Sequence, residues 1–213
     1  MIRAILVICP LIVLIACGGS DPSTEGAAPV LERTTGTDTT EILQPSPVAP
    51  PQTKQDTLML EGMAEPVELR LYQAPEGWPL QVHTYLPPGI EADAVSSGEG
   101  EAIRFRMGEA LLSFVLLPEA VKRSAAQARA RSLFGKTNVQ SCRSSYPWQW
   151  ECLYAANAKG RVTRVLIGEQ QGRQFYFLLD YPAEYGDGFG PRAAMILREW
   201  RFNKPAAPQQ SPQ

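Results

Sequence analysis

The chain begins with a single early positive charge, Arg3, followed by an apolar run from Ala4 to Ile15 that gives way to Ala16-Cys17-Gly18-Gly19. A short positive start, an apolar stretch of this length and a small residue before a break have the form of a cleavable export signal. This feature constrains the fold more than any other. It takes residues 1–16 out of the folded protein and sets the remainder to fold in an oxidising compartment. The alternative, a membrane-spanning helix, requires about 20 apolar residues. The run here is shorter, contains Pro10 and is followed by Gly18-Gly19-Ser20.

Leu14-Ile15-Ala16-Cys17 resembles the lipobox of bacterial lipoproteins, in which the Cys directly after the cleavage point takes a diacylglycerol. The resemblance implies Cys17 as the lipidation site and a mature chain, carrying palmitate, that starts there. It also implies contact with a membrane through that anchor, in the cell envelope. Gly18 follows, not the Asp that the common enterobacterial sorting rule reads as inner-membrane retention. In a cell with two membranes the expected place is therefore the outer membrane, facing the periplasm.

The charge balance excludes one class of partner. Lys and Arg number 20 against 22 Asp and Glu, and loss of Arg3 with the signal leaves the mature chain slightly more acidic. Nothing in that balance points to nucleic acid. Of the four cysteines, Cys9 leaves with the signal and Cys17 is acylated, so Cys142 and Cys152 remain as an even pair. The intervening Ser144-Ser145-Tyr146-Pro147 reads as a turn between two strands. Adjacent antiparallel strands bring Cα atoms to about 4.5–5.5 Å, within reach of a disulfide. A Cys142–Cys152 bridge is the expectation; two free thiols buried in the core are the competing reading.

Residues 17–56 read as a disordered tether, dense in Ser, Thr, Gly and Pro and without aromatics. On this reading, deleting residues 20–55 leaves the folded domain nearly as stable as before. Residues 204–213 read as a frayed tail of the same style. The domain proper is expected over 57–203. Alternation marks strands at Val67–Tyr72, around Val82–Tyr85, at Ala102–Met107, Leu111–Leu117, Trp148–Tyr154, Arg161–Gly168 and Gln174–Tyr181. A helix is expected over Glu119–Phe134 and a second over Pro191–Trp200, with Pro in its first turn. Strands on both sides of one helix, then a terminal helix, imply an α+β fold: a mostly antiparallel sheet packed with helices.

Spacing assigns faces. Phe189, Ala193, Ile196, Leu197 and Trp200 form one apolar stripe for packing on a sheet. In the earlier helix Val121, Ala125, Ala128 and Ser132 form a stripe of small residues. Beside it Lys122, Arg129 and Lys136 recur every seven residues, either as a solvated face or as a contact for an anionic lipid or partner. Trp148, Trp150, Cys152 and Tyr154 fall on one face of their strand. That face is either core or an aromatic ligand platform.

Chemistry-bearing clusters are sparse. His83 is the sole imidazole and no Gly-x-Ser-x-Gly elbow accompanies it, so no nucleophile–base pair is assigned. Zinc sites need several His or Cys ligands. Asp180, Glu184 and Asp187 lack the tight spacing of a calcium loop and read as turn chemistry. No catalytic, cofactor-binding or metal residue is therefore assigned.

Three segments resemble PsbP-like domains: Pro75-Glu76-Gly77-Trp78, the run Gly172-Arg173-Gln174-Phe175-Tyr176-Phe177 with Tyr181-Pro182-Ala183-Glu184-Tyr185 after it, and Ile196-Leu197-Arg198-Glu199-Trp200-Arg201-Phe202. The resemblance covers most of residues 67–202. It implies a curved antiparallel sheet between helices, an α/β/α sandwich, and an accessory or binding role without a shared catalytic residue. With one His, the metal binding attributed to some members finds no support here.

Together these readings describe a membrane-anchored module that binds an envelope protein partner. An envelope hydrolase and an assembly scaffold stand as the alternatives. Substituting Cys17→Ser should abolish incorporation of a palmitate analogue in growing cells, because no other residue supplies the thiol; unchanged labelling would disprove the lipid anchor.

Overall fold

The computed structural model describes residues 49–97, 100–143, 146–157 and 159–203. The signal sequence, Cys17, most of the expected tether and the tail from residue 204 lie outside them. In chain order the first six strands are β1 (Thr53–Leu60), β2 (Met63–Gln73), β3 (Val82–Leu86), β4 (Glu91–Ser97), β5 (Gly100–Met107) and β6 (Ala110–Leu116). Helix α1 (Arg123–Ser132) follows, then β7 (Gln140–Ser141), β8 (Gln149–Ala156), β9 (Arg161–Gln170) and β10 (Arg173–Pro182). A short 3-10 turn at Ala183–Tyr185 leads into α2 (Gly186–Glu199), and β11 (Arg201–Phe202) closes the domain.

Two antiparallel sheets result. One has the order β1-β2-β3-β11 and the other β4-β5-β6-β10-β9-β8-β7. Side chains alternate across the larger sheet, so its faces bury different partners. Leu166, Phe175 and Phe177 pack with Ala193, Ile196, Leu197 and Trp200 of the α2 segment. Val165, Ile167 and Tyr176 pack with Ala126, Ala130 and Phe134 of the α1 segment. A helix thus covers each face, the α+β sandwich expected from the sequence, with the smaller sheet joining the α2 side through Val82 and Leu86.

The α2 side is mostly aromatic. Phe114 lies 4.7 Å from Trp200, 5.1 Å from Phe177 and 5.3 Å from Phe175, centroid to centroid. Each such pair adds about 0.5–1.5 kcal/mol beyond its buried area.

Four expectations need correction. The tether reading extended to Asp56, but β1 starts at Thr53, and Thr53, Lys54 and Gln55 pair with Arg70, Leu69 and Glu68. Earlier still, the Tyr85 hydroxyl donates to the Pro51 carbonyl at 2.9 Å. A deletion through residue 55 therefore strips three of the eight residues of an edge strand. The inward positions of β1 begin with Lys54 and Asp56 and turn apolar only at Leu58. Their charges are met by α2: Lys54 Nζ lies 2.6 Å from Glu199 Oε2, and Arg198 Nη2 lies 2.6 Å from Asp56 Oδ2. Strand β4, likewise unexpected, pairs with β5 along its whole length.

Helix α1 is shorter than Glu119–Phe134, with Lys122 as its N-cap. Its buried face is Ala126 and Ala130, continuing to Phe134, while Ala125, Ala128 and Ser132 are exposed. The expected small-residue stripe is therefore not the buried one, and of its members Val121 alone packs on this side among the described residues.

Helix α2 starts at Gly186, not Pro191, and Trp200 serves as its C-cap. Three glycines and a proline weaken its first turns. Fully buried Phe189 anchors them, and Arg192 Nη1 donates to the Gly188 carbonyl at 2.7 Å.

In β8 a bulge leaves Trp150 unpaired between Gln149, opposite Gly168, and Glu151, opposite Ile167. One extra residue reverses the alternation. Trp148 packs on the α2 side with Cys152, whereas Trp150 packs on the α1 side, where the Arg123 guanidinium sits 4.1 Å from its ring. The four-residue face expected from simple alternation is divided.

Burial of Glu199 favours its neutral form, but the Lys54 ammonium and the Arg198 guanidinium outweigh that and hold the carboxyl below its ordinary value of 4.5. A lowered folded-state value stabilises the protein above the unfolded value, and that stability is lost as pH falls through the lower folded value. Thermal unfolding should therefore show Tm falling on acidification below about pH 4.5. In Glu199→Gln this fall should be shallower than in the parent; an identical pH profile would remove Glu199 from the account.

Candidate functional site

The loop between β7 and β8 builds one wall of a surface cleft. Cys142 and Cys152 are joined by a disulfide, with their Cα atoms 5.0 Å apart. The Cys142 N–H also donates to the Cys152 carbonyl at 2.9 Å. The bridge closes a short loop that carries Tyr146, Pro147 and Trp148. The Tyr146 and Trp148 rings are parallel to within 4° at 5.1 Å. Trp148 in turn lies 4.9 Å from Phe177 and 5.5 Å from Phe175, so the stack is fixed to the aromatic core.

Gly168 lets the wall sit this close. A Cβ there would overlap the Phe175 ring and approach the Trp148 carbonyl oxygen to 2.5 Å.

Two hollows flank the Tyr146 ring. One, of about 480 Å³, lies among Thr57–Met59 of β1, Arg164 of β9, and Pro191, Ala194, Met195 and Arg198 of α2. The other, of about 560 Å³, lies among Trp148, Gln170, Trp200, Arg201 and Phe202. Both include Tyr146 and Arg198, where they meet. Each volume falls within the range of about 300–1,000 Å³ usual for small-ligand sites. The first hollow is mainly apolar, with Met59 half-exposed at its rim.

The electrostatics are set by arginines. Burial pushes the Tyr146 hydroxyl above its ordinary value of 10, and the charges of Arg164 and Arg198 act in the opposite direction. Arg198 is bound to Asp56 and Glu199. Arg164 donates to the Arg143 carbonyl at 3.2 Å, and Arg201 to the carbonyls of Arg198 and Trp200 at 2.7 and 2.9 Å. Two buried donors, Arg164 Nε and Trp200 Nε1, find no acceptor among the described residues.

The residues singled out in the sequence fall elsewhere, apart from the disulfide and Trp148. Lys122 stands at the α1 N-cap, Arg129 within the helix and Lys136 beyond its end. None of the three lines either hollow. His83 Nδ1 lies 2.6 Å from Asn203 Oδ1 in the pairing of β3 with β11, also outside the cleft. Asp180 is held by Arg161 Nε at 2.9 Å and Thr163 Oγ1 at 3.0 Å, one on each carboxylate oxygen. Among the described residues no group of His, Cys, Asp and Glu is arranged to hold a metal ion. Sequence reasoning missed Tyr146, Arg164, Arg198 and Arg201 as a set. The available signal was the pair Arg198 and Arg201 at the terminal helix–strand junction, with Glu199 as the one opposite charge between them.

No family model and no curated protein sequence matches the chain. Among solved structures it is similar to cyanobacterial PsbP (CyanoP) from Synechocystis sp. PCC 6803, at 11% identity and a TM-score of 0.44, over 63% of this chain and 92% of that one. It is also similar to LpqN of Mycobacterium tuberculosis, a protein involved in cell envelope biogenesis, at 11% identity and a TM-score of 0.40, over 64% of this chain and 92% of that one.

Replacing the bridge with Cys142→Ser and Cys152→Ser together should cost about 2–3 kcal/mol on the chain-entropy account of short loops. The near-ultraviolet circular dichroism of the Tyr146–Trp148 stack should weaken with it. Retained stability and spectrum would show that the bridge does not hold the wall.

Gly168→Ala should cost about 1–3 kcal/mol, as overpacked sites do. Chemical denaturation measures this directly, and a cost under about 0.5 kcal/mol, the scatter of ordinary surface substitutions, would mean that the wall yields freely.

Proposed function

We propose that the protein is a lipid-anchored accessory module of the cell envelope that works by binding within a protein complex, not by catalysis. Cys17 carries the anchor, and in a cell with two membranes the module sits at the outer membrane facing the periplasm. The observation that carries the reading is the cleft around Tyr146 and Arg198. Its walls supply cations, aromatic faces and apolar side chains, the elements of a binding site. General base catalysis needs a base in reach of a nucleophile, and His83 is engaged with Asn203 outside the cleft. The export signal and the accessory role implied by the PsbP-like resemblance support the same reading.

The test uses the full tagged chain in its own envelope. Mildly solubilised membranes are separated on a native gel, and purified protein is offered ester, glycoside and phosphate test substrates. The expected result is a band larger than the monomer that contains a second polypeptide, and no turnover. A monomeric band, or turnover abolished by substitutions in the cleft, overturns the proposal.

A further inference from the structure

The cleft has an unusual balance of charge. Of its three arginines, Arg198 alone is neutralised by carboxylates, those of Asp56 and Glu199. The guanidiniums of Arg164 and Arg201 meet only backbone carbonyls among the described residues. A carbonyl accepts a hydrogen bond but does not cancel a charge. Arg164 also retains a buried Nε donor with no acceptor among the described residues, in the hollow that contains Tyr146. Trp200, 2% exposed, keeps an unused indole N–H on the other side. Unmet donors in partly desolvated surroundings are the setting in which an anionic acceptor gains most.

The remaining surface is apolar. Leu58, Met59, Pro191, Ala194 and Met195 lead away from Tyr146 along one arm. Methionine side chains adapt their shape to flexible apolar ligands. A small hydrophilic anion would satisfy the arginines and leave this arm wet. A neutral amphiphile would fill the arm and leave two guanidiniums uncompensated.

We infer that the cleft binds an anionic amphiphile, with a phosphate or carboxylate head held by Arg164 beside Tyr146 and an apolar chain lying along Met59 and Met195 of the same hollow. The inference rests on the reading of this cleft as the place where the module binds. It identifies the ligand as a single-headed anionic lipid or a close analogue. Guanidinium groups suit both head types, since their planar donors match the oxygen atoms of either.

The test uses the chain from Gly18 to Gln213, made without a lipid so that no acyl chain competes. Decyl phosphate, inorganic phosphate and decyl maltoside are titrated separately below their aggregation concentrations. The indole N–H signals of Trp148 and Trp200 are followed by nitrogen–proton NMR. Decyl phosphate should saturate the shifts, with affinity at least about tenfold above either control, the value of one charge-assisted hydrogen bond. Arg164→Gln should weaken it about tenfold, and Arg201→Gln, in the neighbouring hollow, should weaken it less. Exposed Met59→Glu, which leaves the core intact, should weaken it without touching the head site.

Equal binding of inorganic phosphate would make this a plain anion site, and equal binding of decyl maltoside a plain apolar groove; either overturns the inference. So does saturable binding of none of the three, or binding indifferent to Arg164→Gln and to Met59→Glu. If the native gel shows the complex while decyl phosphate fails to bind, the inference fails and the accessory role stands. If decyl phosphate binds and the protein is monomeric in its membrane, the accessory role fails and the ligand class stands.

Discussion

The packing of Trp200 against Phe114 is the contact through which the two sheets and the second helix become one body. Phe114 comes from β6, deep in the larger sheet, and its neighbours Phe175 and Phe177 come from β10. Trp200 stands where α2 stops and β11 begins, so the same ring pair fixes the end of the helix and the start of the closing strand. β11 then pairs with β3 of the smaller sheet, and Phe202 packs back on Phe175 at 5.2 Å. The geometry of the cleft follows from this junction. Arg198 and Arg201 flank Trp200, and Trp148 leans on Phe175 and Phe177 on the same side of the sheet.

How far the sequence discloses this depends on whether a pattern was set by burial alone. The stripe Phe189, Ala193, Ile196, Leu197 was legible because all four are buried against one surface. The start of the same helix was not, since Gly186, Gly188, Gly190 and Pro191 obey turn preferences and are overruled by one buried Phe and an arginine bridge. β9 and β10 were legible as strands because both faces of that part of the sheet are buried. β1 escaped notice because Lys54 and Asp56 occupy inward positions that α2 satisfies with ion pairs, a fact available only once distant segments meet. In α1 the small residues are so numerous that spacing could not choose between neighbouring stripes. Phe134 decides it.

The cleft was invisible for a different reason. Its arginines lie on a strand and at a helix–strand junction, separated in the chain by the whole of β10 and most of α2. What distinguishes Arg164 from Arg161 three residues earlier is its company. Arg161 is paired with Asp180 across the β9–β10 ladder, whereas Arg164 stands opposite Leu179. Neither distinction is written in local composition.

The bulge at Trp150 has a consequence for how such a domain can change over generations. It separates β8 into two segments that are out of phase. The ladder from Glu151 to Ala156 and the half-cystine at Cys152 fix the phase of the later segment. A residue gained or lost between Arg143 and Pro147 would therefore reshape the wall of the cleft and stop there. The same event after Cys152 would turn Leu153 and Ala155 outward and expose the seat of α1. Ligand preference and sheet architecture are thereby inherited as separable characters, one on the loop that leads into β8 and the other on the strand itself.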